Sequence, residues 1–285
     1  MLRVAIQGEQ GAFSHEAALL ALGESVEIVP CETFDALFEA VASGAADRAV
    51  VPIENSLHGS IHENYDRLFA RALHIVGEVP LRVRQCLIAR PGSSLASLRK
   101  VASHPVALAQ CRRFFAAHPQ LEPVVAYDTA GAVRDLMRDG APTSAAIGSA
   151  LAAQLYGGQV LDRDIEDDPQ NYTRFLVLAR EPGALEAATK TSLVFTLKNE
   201  PGVLHKALGA FALRGVDLAK IESRPLRGRP WEYLFYLDVL GDPRAALGEA
   251  LRELSGLATS LRVLGSYPGA LAPGSFTRAR DLPSE

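Results

Sequence analysis

A chain of 285 residues is long enough for two domains with separate cores. Its 29 basic and 33 acidic residues leave a net charge of −4, which gives the chain as a whole no electrostatic attraction to nucleic acid or an anionic membrane and points to a small-molecule partner. The three cysteines, Cys31, Cys86 and Cys111, contain no CxxC pair, so a disulfide framework or thiolate zinc site is not expected. With no signal-peptide core and no apolar run of bilayer length, the expectation is a soluble, unprocessed cytoplasmic protein.

From residue 1 to 180, short β-rich runs alternate with alanine-rich amphipathic stretches, the pattern of an α/β domain with mostly parallel sheets. Strands are predicted at 3–6, 26–29, 49–53, 74–88, 124–127, 145–147 and 175–178, and helices at 14–22, 34–43, 61–70, 105–117, 130–138 and 148–156. The first strand runs into QGEQGAFSHEAA (7–18), where Ser14 reads as a helix N-cap behind a glycine turn. The alternative there is an anion site built from Gly11, Ser14 and free backbone N–H groups, sized for a carboxylate rather than a nucleotide. The third predicted strand ends on Glu54 and Asn55 in AVVPIENSLHGS, at the carboxyl end where α/β sheets hold ligands. Turn and cap duties explain Asn55 and Ser56 equally well, and His58 and His62 read as ordinary loop and first-turn residues.

Further on, VASHPVALAQC (101–111) runs a strand end into Ser103 as N-cap, Pro105 near N1, and Gln110 two turns into the helix. The five acidic residues at 162, 164, 166, 167 and 168 lack calcium-loop spacing and read as a solvated loop. Thr173 and Arg174 in QNYTRFLVL open an apolar strand, so at least one side chain points into protein, and a buried guanidinium requires an anion. EPGALEAATK (181–190) is the predicted linker. Beyond it, strand 192–197, helix 202–213, strands 216–223 and 231–239, helix 243–254 and strand 260–265 form a βαββαβ unit of ferredoxin-like type over 191–267. The Pro/Gly-rich tail 268–285 is predicted to be poorly ordered. Trp231, Tyr233 and Phe235 read as core aromatics, because the third strand lacks the stacking motif of an RNA-recognition domain.

Taken in order, GEQGAFSHEAA, VVPIENSLHGS, SHP with Gln110, and NYTRF resemble the catalytic motifs of the prephenate dehydratase family. GVLHKAL and ESRP resemble the two regulatory motifs of an ACT domain that binds phenylalanine, so the resemblance extends from residue 1 to about 267. It implies an α/β fold: a two-lobed, type 2 periplasmic-binding-protein-like catalytic domain at 1–180, followed by a ferredoxin-like βαββαβ ACT domain. The implied activity converts prephenate to phenylpyruvate, CO2 and water in L-phenylalanine biosynthesis, with feedback by L-phenylalanine. No cofactor, metal, nucleic-acid or membrane partner is implied; a single-activity homodimer or homotetramer is. Arogenate dehydratase is the alternative activity, and a non-catalytic amino-acid sensor is the rival of a different class.

Carried over by motif position, the resemblance makes Thr173, Glu54, Asn55, Ser103 and Gln110 the catalytic set, with Gly11, Ser14, Arg174 and Phe175 on the substrate. Gly202, Val203 and Leu204 would bind phenylalanine, with Glu222, Ser223, Arg224 and Pro225 supplied by a neighbouring chain. Tyr127 stands before Asp128 where some relatives carry an acidic residue. The chemistry expected is a hydrogen bond from Thr173 to the departing hydroxyl and a proton supplied through Glu54. Arg174 or the helix start at Ser14 is expected to hold the side-chain carboxylate rather than the one lost as CO2.

Overall fold

The computed structural model describes residues 1–226, 228–229 and 231–270, so the predicted tail beyond 270 lies outside the described residues. The chain forms two compact units, Met1–Ala70 with Val79–Val177, and Arg71–Glu78 with Leu178 onward. The short segment 71–78, which the pattern places in the first domain, therefore groups with the C-terminal unit.

The first unit opens with β1 (Leu2–Gln7), α1 (Phe13–Leu22), β2 (Val26–Cys31), α2 (Phe34–Ala42), β3 (Arg48–Asn55), β4 (Gly59–Ser60) and α3 (His62–Ala70), and is followed by β5 (His74–Arg82), whose first half belongs to the other unit. It continues with β6 (Cys86–Ala89), β7 (Lys100–Ser103), α4 (Pro105–Ala109), α5 (Arg112–Ala117), β8 (Glu122–Val125), α6 (Thr129–Asp139), β9 (Ser144–Gly148), α7 (Ala150–Tyr156) and β10 (Gln159–Arg163), before β11 (Tyr172–Ala179) returns the chain. One sheet has the order β2-β1-β3-β11-β5 with β4 attached to β3, the other β10-β6-β9-β7-β8. Each sheet is the centre of one lobe. Parallel pairing of β1 with β2 and β3, and of β7 with β8 and β9, matches the alternating α/β pattern. Strand alternation divides the second lobe's core in two: Leu87, Ala145 and Ile147 face Ala107, Phe114 and Leu121, whereas Ile88 and Ala146 face Ala130, Val133 and Ala152.

Three expectations are corrected here. The apolar run 74–88 is two strands, because 83–85 crosses from one sheet to the other. There Val83 N–H donates to the Asn171 carbonyl at 2.8 Å, Ile165 N–H donates to the Gln85 carbonyl at 3.1 Å, and Arg84 forks onto Asp164 with two 2.6 Å bonds. An apolar run carries no mark of which sheet each part joins. The predicted helix 105–117 is also two, α4 and α5, because Cys111 takes a non-helical conformation and Asp167 accepts from the first N–H groups of α5, those of Arg112 and Arg113, at 3.1 and 2.9 Å. The acidic loop 162–168 is correspondingly not a solvated one. Glu166 is buried, accepting from Gln85 N–H at 2.8 Å and pairing with Arg82 at 3.4 Å, and Asp164 and Asp167 are the groups just described.

The second unit contains β12 (Lys190–Leu197), α8 (Val203–Ala212), β13 (Leu218–Pro225), β14 (Tyr233–Leu240), α9 (Ala246–Leu257) and β15 (Ala258–Tyr267). Its sheet is antiparallel in the order β13-β14-β12-β15, the βαββαβ arrangement that the pattern predicts. Leu193, Phe195, Leu237 and Val239 pack on Ala207, Phe211, Leu247 and Leu254 from the two helices. Lys190 is buried and donates to both carboxylate oxygens of Glu78, at 3.0 and 2.9 Å. Of the three aromatics predicted for the core, Phe235 stacks on Phe195 with centroids 5.5 Å apart. Trp231 is instead 79% exposed, at a positive φ of 69° that bulky residues rarely adopt.

Candidate functional site

The first unit holds a cavity of about 320 Å³ lined by residues of both lobes. β11 delivers Thr173 and Phe175 to it, and the period of two along a strand sends Arg174 to the opposite face. On β3, Asn55 donates through Nδ2 to Thr173 Oγ1 at 3.0 Å and to Asn171 Oδ1 at 2.8 Å. Its Oδ1 accepts the N–H groups of Leu57 and His58 at 3.0 and 3.1 Å, which closes the turn after the strand. The turn reading of Asn55 is thus met by its Oδ1, while its Nδ2 bonds Thr173 beside the cavity. Because Thr173 Oγ1 is the acceptor in its bond with Asn55, the hydroxyl retains its own proton to donate.

Glu54 and Arg174 are not on the cavity. Arg174 donates to Glu54 Oε2 at 3.0 Å and reaches Tyr65 OH at 3.5 Å, so the anion that a half-buried guanidinium requires is Glu54 itself. The glycine loop also differs from expectation. Ala12, not Ser14, is the N-cap of α1, and Ser14 lies in the first turn, where it lines the cavity. Gly11 is consumed structurally: its N–H donates to His15 Nδ1 at 3.0 Å and its carbonyl accepts from Ser149 Oγ at 2.6 Å. At φ +89° a Cβ on Gly11 would stand 2.7 Å from Ala152 Cα, so glycine is required by the close approach of α7. Burial lowers the pKa of His15, which keeps Nδ1 a neutral acceptor for that bond.

From the second lobe come Gln110, Gln85, His104 and Thr129. Ser103 is wholly buried within its sheet, donating to the Ile147 carbonyl at 2.7 Å; the cap of α4 is His104, whose Nδ1 accepts from Val106 N–H at 3.3 Å. Gln110 sits at the break between α4 and α5 rather than inside a continuous helix. Gln85, 2% exposed, donates through Nε2 to Gln110 Oε1 at 3.4 Å, and its own Oε1 has no hydrogen-bond partner. A buried unsatisfied acceptor costs roughly 1–3 kcal/mol. Among the described residues lining the cavity none is Asp, Glu, Lys or Arg, and His58 and His104 supply its titratable groups. Sequence reasoning passed over Gln85, His58, His104 and Thr129. The lone glutamine inside the apolar run RVRQCLIA was the available signal, since a buried amide needs a partner.

Tyr127, at the position acidic in some relatives, is exposed and donates to Glu9 at 3.5 Å while accepting from Arg134 at 2.9 Å. Asp128 caps α6 at Gly131 N–H (3.0 Å) and accepts from Glu9 N–H (3.2 Å), so it holds the glycine loop rather than lining the cavity.

The second unit has its own pocket, of about 200 Å³, at the start of α8. Gly202 in the left-handed conformation, Val203 and Leu204 line it together with Trp231, Tyr233 and Phe235. Glu222, Ser223, Arg224 and Pro225 lie on β13, an edge strand, and are not among its lining residues.

Fold and site define a two-lobed α/β domain with a cavity, followed by a C-terminal βαββαβ domain with a pocket of its own. Residues 4–183 match the family model described as prephenate dehydratase, residues 191–256 match the ACT domain, and the chain belongs to the prephenate dehydratase family. Arogenate dehydratase/prephenate dehydratase 2, chloroplastic, of Arabidopsis thaliana is 50% identical, covering 94% of this chain and 73% of that protein. Among solved structures, prephenate dehydratase in complex with L-Phe from Arthrobacter aurescens superposes with a TM-score of 0.84 at 36% identity, covering 93% of this chain and 90% of that one. A structure described as GqqA, a novel type of quorum quenching acylase, gives a TM-score of 0.87 at 39% identity over 94% and 98%. The protein is a dehydratase, a hydro-lyase of aromatic amino-acid biosynthesis, with an ACT domain.

Proposed function

We propose that the cavity converts prephenate to phenylpyruvate and that phenylalanine, bound at the ACT pocket, feeds back on the reaction. The hydroxide at C4 leaves with its bonding pair, and the C–C pair of the departing carboxylate becomes the new ring double bond, so CO2 is released and one proton is consumed in making water. Thr173, oriented by Asn55, donates a hydrogen bond to the departing oxygen as its charge develops. His58 and His104 are the imidazoles that line the cavity, and they replace Glu54 as the proposed proton source. Ser14, Gln110 and Phe175 complete the substrate's surroundings, while Gly11, Ser103, Glu54 and Arg174 act at one remove, through the loop and sheets that carry them.

The observation that carries this reading is Thr173 in a cavity lined by hydroxyls, amides and apolar groups without a formal ion pair. A carboxylate that must leave as neutral CO2 gains nothing from a cation that binds the ground state more tightly than the transition state. Asn55 donates to Thr173 and supplies no base, which favours dehydration over the nucleophilic attack that an acylase needs. The test is phenylpyruvate formation by the purified protein from prephenate. Thr173→Ala is expected to lower kcat by roughly 10² to 10³, the range for losing one donor to a developing oxyanion. Normal turnover by that variant would refute the assignment.

For regulation we infer that Glu222–Pro225 of one copy reach the pocket of a neighbouring copy, since they are absent from the pocket of their own chain. Light scattering that shows a monomer at assay concentration, with inhibition intact, would refute it. The three cysteines are free and buried, compatible with a reducing compartment such as the cytoplasm, and among the described residues no helix is long and apolar enough to cross a membrane.

A further inference from the structure

Gln85 and Gln110 both line the substrate cavity, and their amides form a pair with one buried, uncommitted end. As assigned, Gln85 Nε2 donates to Gln110 Oε1, and Gln85 Oε1 is left as a bare acceptor. Turning both amides about their terminal torsions preserves that contact, with Gln110 now donating to Gln85, and presents the Gln85 NH2 instead. The pair can therefore offer a ligand either an acceptor or a donor without changing its internal hydrogen-bond count. Gln85 cannot evade this role by moving aside. It is 2% exposed, and its backbone is pinned at both ends, by N–H to Glu166 at 2.8 Å and by its carbonyl to Ile165 N–H at 3.1 Å.

Prephenate and arogenate differ in one group of the side chain: a ketone, which only accepts hydrogen bonds, against an ammonium, which only donates them. We propose that Gln85, buttressed by Gln110, is a specificity-determining residue that reads this group, presenting NH2 to the keto acid and Oε1 to the amino acid, so that both substrates are used. The proposal rests on the cavity being the dehydratase site. It adds a residue to that site and names the substituent that the residue contacts. The cavity's lack of Asp and Glu is part of the argument: an ammonium held by a neutral amide oxygen is accommodated without excluding the ketone, whereas a carboxylate there would select for the ammonium.

The experiment measures kcat/KM for prephenate and for arogenate with wild type and Gln85→Glu, at about pH 6 and about pH 9 so that a buried carboxylate is sampled in both protonation states. The expected result is a change in the arogenate-to-prephenate ratio of at least about tenfold toward arogenate at the higher pH, and a smaller change at the lower. A smaller ratio change at the higher pH overturns the proposal. Should Gln85→Glu fail to fold, Gln85→Met, which keeps the volume and removes both hydrogen-bonding roles, is expected to raise KM at least about tenfold for both substrates while kcat changes less than about threefold. Unaltered KM values in that variant overturn the proposal. A wild-type protein that forms product from neither substrate refutes the dehydratase reading itself. Wild-type turnover with an unmoved ratio refutes only the role of Gln85.

Discussion

Thr173 and Asn55 are motif residues that the fold brings into contact on the cavity, and their neighbours show what a motif leaves unread. Strand alternation separates Thr173 from Arg174, and a one-dimensional motif cannot say which of two adjacent polar residues faces the ligand. Glu54 and Arg174 are close to the site in sequence yet satisfy each other away from it. His15 is the converse case, a residue with no motif-level role that fixes the glycine loop by accepting the Gly11 N–H. Its folded-state pKa lies below the ordinary 6.5 because burial penalises the cation. Its contribution to stability is therefore fully present above about pH 6.5 and is lost as pH falls through the folded value. Chemical denaturation between about pH 7.5 and 5 is expected to show stability falling with acid, with a shallower fall in His15→Leu; parallel profiles would remove His15 as the cause.

At the scale of elements, the alternation of strands and helices was legible because apolar periodicity is a local property. The breaks at 83–85 and at Gln110–Cys111 were not, since partners more than fifty residues away impose them. Asp167 is the clearest example. It accepts from the first two N–H groups of α5, and its own N–H donates to the Gln110 carbonyl at 2.6 Å, so an acidic loop fixes where one helix stops and the next begins. Asp167→Ala is expected to cost about 1–2 kcal/mol in urea denaturation, the usual loss on removing an N-cap. Because Gln110 sits at that junction, KM for prephenate is expected to rise as well. Loss of stability with KM unchanged would separate the cap from the site.

On the scale of the whole molecule, the two pockets lie in different units, and feedback requires that phenylalanine favour one of two states that differ in activity. The chain's single tryptophan, Trp231, lines the ACT pocket, so intrinsic emission reports its occupancy without a label. Titration with phenylalanine is expected to give a saturable change in emission whose midpoint matches that of the effect on turnover. A spectral response with no change in rate would leave the pocket a binding site without regulatory output.

The division of the chain has a practical corollary for anyone hoping to separate catalysis from its control. The C-terminal unit borrows 71–78 from the middle of the first, including Leu73 and Ile75, both almost wholly buried, and Glu78, the partner of buried Lys190. A single cut at 181–190 consequently yields neither half intact. The C-terminal fragment loses a piece of its own interior and the Glu78 carboxylate, leaving Asp238 at 3.9 Å as the counter-ion of Lys190, and the N-terminal fragment keeps 71–78, with β5 still paired to β11, without the C-terminal residues it groups with. Sensor and catalyst are here spliced rather than appended, so a regulation-free enzyme is better sought by point substitution in the ACT pocket than by truncation.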